Sequence, residues 1–426
     1  MAKDLSLVEQ VADVKGAKIT DYNVTVFKSN KIIVLDIVPN QTHVCPFCGR
    51  VCPGYDYASK TPKLWRHTDW GNCVVLLSYR LRRIKCPEHK VVTESVPWAH
   101  HKSRLSKAFE TRVLWLGQHT SRSAVSRLMR IDWHTTDRCI ERFLLMQATV
   151  TQSSSFDGLR HIAIDETSYQ KRHKYVTCVL NQENNTIIWV GEGHGLATIK
   201  QFFEQLTPEQ RASIETVSGD GARWIDACVE QYVPHAKRCA DPFHIILWAS
   251  DALDSVRLRA SRELRKKGNA TDAKAIKGSQ IALGKDPSEL TEKQKSKVKL
   301  VSEKTPGLYN AYQLKEKLRK ILSMKGNQEE AMKALDEWIE LAKSSEALEF
   351  QNLAEKISRH RQNICNTIQY NKHSARLEAI NNSIKLIIRR SYGFRNTDNL
   401  ANHIKFCCSS TKIELSYQTH HTLMTA

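Results

Sequence analysis

The chain has 426 residues, 41% of them hydrophobic, with 12 cysteines and a formal net charge of +19. Such a length implies two to four domains with ample core. No apolar run approaches the length of a bilayer span, which argues against an integral membrane protein, and Met1-Ala2-Lys3-Asp4 begins no apolar leader, so the expected compartment is the cytosol.

An isoelectric point near 9.4 gives salt-dependent, sequence-independent attraction to polyanions, with nucleic acid the leading partner. The cysteines are spread over the whole length, and a cytosolic chain of this size does not need a disulfide scaffold. Cys139, Cys178, Cys228, Cys239, Cys365, Cys407 and Cys408 lack ligand-like spacing and read as small core hydrophobes or free thiols.

In chain order, the first element is a small β module over residues 1–100. Lys31–Val38 and Val74–Leu81 read as strands. Between and after them stand two knuckles, Cys45-Pro46-Phe47-Cys48-Gly49 and Cys86-Pro87-Glu88-His89. Two ligand pairs, each with a two-residue spacer, supply the tetrahedral set of a closed structural Zn²⁺ site, with no open position for catalysis. His43, Cys52 and His67 stand near enough in sequence to replace His89 as the fourth ligand.

Residues 101–150 turn helical. Leu105, Phe109, Val113 and Leu116 mark one face. Ser123–Met129, a turn at Ile131-Asp132, and a helix capped by Thr135 with Ile140, Phe143 and Leu144 inward form a helix-turn-helix. The last helix is expected in the DNA major groove, with Arg127, Arg138 and Arg142 as the DNA contacts. A plain helical spacer is the competing reading.

From residue 155 to 254 strands alternate with helices. His161–Asp165, Lys174–Leu180 and Thr186–Val190 form an antiparallel meander with a turn at Asn184-Asn185. A helix over 195–206, a strand at Ile214–Val217, a helix over 222–232, a strand within 235–241 and a long helix from Phe243 towards Lys267 follow. That order is the order of a ribonuclease-H-like α/β core, in which the first and fourth strands are central neighbours. Asp165 ends the first and Asp220 follows the fourth. Glu378, before the basic stretch Ile384–Arg390, lies too far from Asp220 for a loop to join them, so an inserted domain is required. Brought together, three carboxylates hold two divalent cations that act on a phosphate. The bland reading of each acid is a cap, turn or salt bridge. Glu166 and Asp226 are neighbouring decoys, and Asp241 competes for the second position. His244 is placed either to orient a carboxylate or simply to start a helix.

The insertion, 255–365, is helical. Arg257, Arg259, Arg262, Arg265, Lys266 and Lys267 are expected to make a cationic surface. Leu314, Leu318, Ile321 and Leu322 repeat at helical spacing, as do Leu335, Trp338, Ile339 and Leu341. The stretch 268–297, with Gly278, Gly284 and Pro287, reads as a flexible connection. The expected role of the domain is a DNA clamp, a dimerisation arm or a solvated hairpin. Residues 366–426 return to the core with the third acid.

The stretches Ala163–Tyr169, Val217–Gly221, Ala240-Asp241-Pro242-Phe243-His244 and Ala375–Asn382, ending in Gly393-Phe394-Arg395-Asn396, resemble DDE-type insertion-sequence transposases of the ISL-three family. Zinc module, helix-turn-helix and core occur in the family's order over nearly the whole chain. The resemblance implies Asp165, Asp220 and Glu378 as the catalytic acids, holding Mg²⁺ or Mn²⁺. It implies a structural Zn²⁺ on Cys45, Cys48, Cys86 and His89, where the family usually has a second Cys pair. The implied activity is cleavage of transposon terminal inverted repeats and transfer of the freed 3′ hydroxyl to target DNA, in the bacterial cytosol. Lys385, Arg389 and Arg390 would face the DNA backbone, and paired ends would be cut by a homodimer or larger assembly. The rival readings are a non-catalytic zinc and helix-turn-helix regulator, and a ribonuclease-H-like nuclease that cuts without joining.

Overall fold

The computed structural model describes residues 5–27, 30–150, 156–170, 174–324, 328–370, 375–391, 393–394, 396–409 and 411–415. Two compact units emerge, residues 1–143 with 411–426, and residues 144–410.

The first unit begins with α1 (Ser6–Ala12), β1 (Ala17–Phe27) and β2 (Asn30–Pro39). Then come β3 (Gly54–Tyr57), β4 (Lys63–Trp70), β5 (Cys73–Tyr79), β6 (Arg82–Cys86) and β7 (Lys90–Thr93). One sheet runs β1-β2-β5-β4 and a second runs β3-β6-β7. Strand alternation explains the larger sheet: Leu35, Ile37, Val75, Leu77 and Trp65 point to one face and bury against Trp98. Three helices follow, α2 (Lys107–His119), α3 (Arg122–Met129) and α4 (Trp133–Val150). Ser106 and Ser121 cap the first two by accepting the main-chain N–H groups of Phe109 and Ala124. Residues 411–415 lie with this unit rather than with the core: Gln118 donates to the Thr411 carbonyl at 3.1 Å and accepts from the Ile413 N–H at 3.3 Å.

The second unit is built on β8 (His161–Gln170), β9 (Lys174–Asn181), β10 (Thr186–Glu192), β11 (Thr216–Gly219) and β12 (Lys237–Ala240). The sheet order is β10-β9-β8-β11-β12, with β8 to β10 antiparallel and β11 parallel to both β8 and β12. The first and fourth strands of the unit are therefore neighbours, as the element order predicts. One face carries α5 (Leu196–Phe203), α6 (Pro208–Ala212) and α7 (Arg223–Tyr232), around Ile199, Phe202, Phe203 and Ile225. The other face, lined by Ala163, Val176 and Leu180, receives Ile384 and Ile387 of α16 (Ala375–Arg390) and Leu400 and Ile404 of α17 (Thr397–Cys407).

Between these lies the helical insertion. It comprises α8 (Pro242–Lys266), α9 (Ala270–Lys277), α10 (Gln280–Gly284), a short 3₁₀ turn (Pro287–Glu289), α11 (Glu292–Lys304), α12 (Pro306–Leu322), α13 (Gln328–Lys343), α14 (Leu348–Arg359) and α15 (Arg361–Tyr370). A single apolar core joins α8 to α15 through Leu318, Leu335, Trp338, Phe350 and Ile357. The stretch 268–297 is thus ordered helix, not a flexible connection: Ala273, Ile276, Ala282 and Leu283 are buried. Leu341, by contrast, is exposed. The α15 helix covers the free edge of β12, where Asn366 donates to the Arg238 carbonyl and Thr367 to that of Ala240.

Candidate functional site

The two knuckles converge. Ligand atoms of Cys45, Cys48, Cys86 and His89 all lie within 4.8 Å of one another. The Cys48 and Cys86 sulfurs are 3.7 Å apart, and His89 Nδ1 lies 3.7 Å from Cys45 Sγ and 3.6 Å from Cys86 Sγ. A tetrahedron with metal–sulfur bonds of about 2.3 Å has edges of about 3.8 Å, so these spacings fit Zn²⁺. The main-chain N–H of His89, helped by the His89 ring and the Glu88 N–H, pulls the Cys86 thiol down to about 6, which favours the thiolate that binds metal. His67 is excluded as a ligand: its ring nitrogens lie 2.8 Å from Ser106 Oγ and 2.9 Å from the Ala12 carbonyl.

In the helix-turn-helix, α3 ends at Arg130 in the left-handed region, φ 53°, and α4 starts three residues later. The cap is Asp132, which accepts the His134 N–H at 2.8 Å, and not Thr135, whose hydroxyl accepts from Arg138. Arg127 and Arg138 are exposed. Arg142 is half-buried and already has a carboxylate partner. Its guanidinium pairs at 2.6 Å with Glu110, whose carboxylate is buried and also accepts the Ser103 hydroxyl. Removing Arg142 would leave that charge uncompensated inside the bundle.

In the second unit, register decides the placement of the first two acids. The β8–β11 ladder runs as far as Ser218 beside Ala163, so Asp165 on β8 and Asp220, just past the end of β11, each stand two residues beyond that pair. Neighbouring strands lie about 4.8 Å apart, and the Asp220 charge is felt at Asp165. Gly219 permits the approach, because a Cβ there would meet the Ile164 carbonyl at 2.9 Å. Asp165 accepts the Glu166 N–H at 2.7 Å through one oxygen and the Asn381 side-chain amide through the other. Burial raises the Asp165 pKa above the ordinary range, and the negative Asp220 adds to that push, while Asn381 and the nearby His244 oppose it. Asp220 accepts the Ala222 N–H at 3.0 Å, a turn that leads into α7.

Glu378 lies on α16, but its side chain falls outside the described residues. Asn381, one turn further along the same helix face, touches Asp165 and accepts the Thr167 hydroxyl at 2.8 Å. Ile384 and Ile387 bury towards the sheet, while Lys385, Arg389 and Arg390 are exposed.

Three nearby residues have roles that composition alone does not reveal. Asp241, the competitor for the second position, caps α8 by accepting the Phe243 N–H at 2.8 Å, and lies 3.8 Å from His244. Glu166 accepts the Gly195 N–H at the start of α5. Its pKa is raised first by burial, with the charges of Asp220 and Asp165 adding to that push. Arg238, buried on β12, pairs with Asp226 at 3.0 Å and donates to the carbonyls of Gly219, Cys239 and Asp220. The i, i+3 spacing from Glu378 and an arginine leading the short run Arg238-Cys239-Ala240 were the available signals for Asn381 and Arg238.

The insertion's cationic surface is smaller than expected. Arg257 is buried, pairing with Asp254 and donating to the Lys277 carbonyl, and Arg259 pairs with Glu349 at 2.8 Å.

A zinc knuckle, a helix-turn-helix and a five-stranded core with paired acids define a DNA-processing enzyme, and comparison with known proteins agrees. Residues 162–404 match a family model described as transposase, 94–144 match the helix-turn-helix domain of transposase family ISL3, and 41–89 match the zinc-finger of transposase IS204/IS1001/IS1096/IS1165. The chain is 38% identical over 371 residues to the transposase for insertion sequence element IS1557 of Mycobacterium tuberculosis, covering 83% of this chain and 82% of that protein. It is 25% identical over 306 residues to the transposase for IS1001 of Bordetella parapertussis, covering 72% and 74% respectively. The chain belongs to the ISL3 family of transposases, and is a DNA-binding polynucleotidyl transferase. Among the described residues no helix is long and apolar enough to cross a membrane.

Proposed function

We propose that this transposase cuts and joins insertion-sequence ends at a two-metal site formed by Asp165, Asp220 and Glu378 on a ribonuclease-H-like core. The observation that carries the reading is the docking of α16 on β8, where Asn381 holds Asp165 and the Glu378 backbone lies one turn away. The donor set is all carboxylate oxygen, which suits Mg²⁺ or Mn²⁺. Such ions, when bound, activate the attacking oxygen and stabilise the leaving one. The protein's share is positioning. Asn381 and the Glu166 N–H fix the Asp165 carboxylate, and the Ala222 N–H fixes that of Asp220. The water or 3′ hydroxyl that attacks needs no covalent protein intermediate.

In this reading Arg127 and Arg138 contact the end DNA from the helix-turn-helix, and Lys385, Arg389 and Arg390 follow its backbone near the chemistry. The zinc is structural. Two ends are held by a homodimer or larger assembly in the bacterial cytosol. Asp165→Asn, Asp220→Asn and Glu378→Gln should each abolish Mg²⁺-dependent nicking of a duplex carrying the element's ends, with the gel shift on that duplex retained. Nicking that survives in one variant removes that residue from the site.

A further inference from the structure

The first unit contains an open cleft of about 460 Å³ lined by none of the Cys45, Cys48, Cys86 and His89 set and by no residue of α2, α3 or α4. It lies among the β3–β4 connection, the start of β6 and the loop 99–102. Ala58, Pro62 and Leu81 give it apolar surface, Trp65 lies buried beneath with the Lys63 ammonium 5.0 Å from its ring centroid, and Lys63 and Lys102 stand in its wall. Beside Leu81, the guanidinium groups of Arg80 and Arg82 lie over the Tyr57 ring, 3.8 and 4.6 Å from its centroid. Both are held by neutral oxygen: Arg80 donates to the Ser59 carbonyl at 3.0 Å, and Arg82 to the Tyr57 hydroxyl at 2.9 Å.

The distribution of charge is selective. Elsewhere in the same module, Arg83 pairs with Asp56 and Arg50 with Glu88. Among the described residues no carboxylate pairs with Lys63, Arg80, Arg82 or Lys102. The one acid lining the cleft, Glu94, is buried, and its oxygens accept the Arg82 N–H, the Tyr79 hydroxyl and the His43 N–H. Burial, then the neighbouring Arg104, hold Lys63 below its usual range. Burial likewise lowers His100 and His101, which line the same wall.

Apolar surface beside a cationic rim fits a flat ring attached to phosphates, and pockets of this volume take small-molecule-sized groups. The bases of a duplex are paired and stacked, so only an unpaired base presents its ring face to such a cleft. We propose that this cleft binds an unpaired nucleotide of a DNA strand, its base against Pro62 and Leu81 and its flanking phosphates on Lys63, Lys102 and Arg80.

The test is fluorescence anisotropy of the full-length protein with a labelled twelve-nucleotide DNA strand, against the same sequence as a duplex, over a sodium chloride series. The Lys63→Ala/Lys102→Ala variant should bind the single strand about tenfold more weakly. Its log K against log salt slope should become shallower by about 1.4, from two lost phosphate contacts on a single strand. Duplex binding should stay within about twofold of the parent. Arg83→Ala, on the same sheet but already paired, should change neither. Unchanged single-strand binding, or an equal loss on duplex, overturns the proposal. Should the double variant fail to hold zinc, photocrosslinking of the unaltered protein to a strand carrying 5-iododeoxyuridine decides instead. Adducts in residues 57–65 or 96–102 support the site, and adducts confined to other segments overturn it.

Discussion

Asn381 donates its side-chain amide to Asp165 across 216 positions of sequence. The same side chain accepts the Thr167 hydroxyl, so its orientation is fixed and its oxygen and nitrogen are both used. Partners of this kind hold a metal-binding carboxylate in one rotamer, and losing them costs roughly 10–100-fold in activity or metal affinity. Asn381→Ala should therefore slow strand cleavage by about that factor, raise the Mg²⁺ concentration needed for half-maximal rate, and leave end binding unchanged. A loss of end binding with no change in Mg²⁺ demand would assign Asn381 to the DNA surface.

Arg238 performs a comparable service for Asp220. One planar guanidinium reaches several carbonyls at the end of β11 and also Asp226, a geometry that a lysine ammonium does not reproduce. Arg238→Met removes a buried cation from its partners and should destabilise the second unit by about 3 kcal/mol, and Arg238→Lys should recover only part of that. Denaturant melts of the three proteins check it.

Much of this was legible in advance, because the decisive signals are local and repetitive. The short apolar run Ile162–Ile164 and the acid that follows it read directly from sequence, as did the knuckle spacing. What sequence did not reveal was the destination of individual polar groups. Arg142 and Arg257 look like surface cations by composition, yet each is drawn to a carboxylate within its own helical packing, Glu110 or Asp254. The stretch 268–297 carries glycines and a proline that suggest a flexible linker. Its apolar residues Ala273, Ile276, Ala282 and Leu283 found burial in the insertion's core, and tertiary burial outweighed local propensity. The cap at α4 went to Asp132 because its carboxylate reaches the exposed N–H of His134 before the Thr135 hydroxyl can act.

Zinc should be integral to the first unit. Cys45→Ser or Cys48→Ser should reduce the metal content of purified protein from about one zinc per chain towards none, and unfold the β module, since site assembly and folding are coupled. Metal analysis together with near-ultraviolet circular dichroism reads both effects. A variant that keeps its zinc would exclude that cysteine from the ligand set.

His67 predicts a pH dependence. Burial, the largest cause, holds its pKa below the ordinary 6.5. The folded ring stays neutral where the unfolded one takes a proton, so the unfolded chain binds more protons as pH falls. Stability is thus present above pH 6.5 and declines below it, until the folded ring also titrates. The thermal midpoint of the first unit should fall between pH 7.5 and 5.5 by more in the parent than in His67→Gln, which removes this contribution while zinc-ligand protonation remains common to both. Equal falls in the two proteins would show that His67 carries no such linkage.

The central claim is that carboxylates from three distant segments share one divalent-cation site, and iron-directed cleavage of the polypeptide tests it most directly. Fe²⁺ replacing Mg²⁺, with ascorbate and peroxide, releases hydroxyl radicals that cut main chain close to the bound ion. The account predicts simultaneous cuts near residues 165, 220 and 378, suppressed by excess Mg²⁺ and lost in Asp165→Asn. Cuts near 165 and 220 with none near 378 would contradict it.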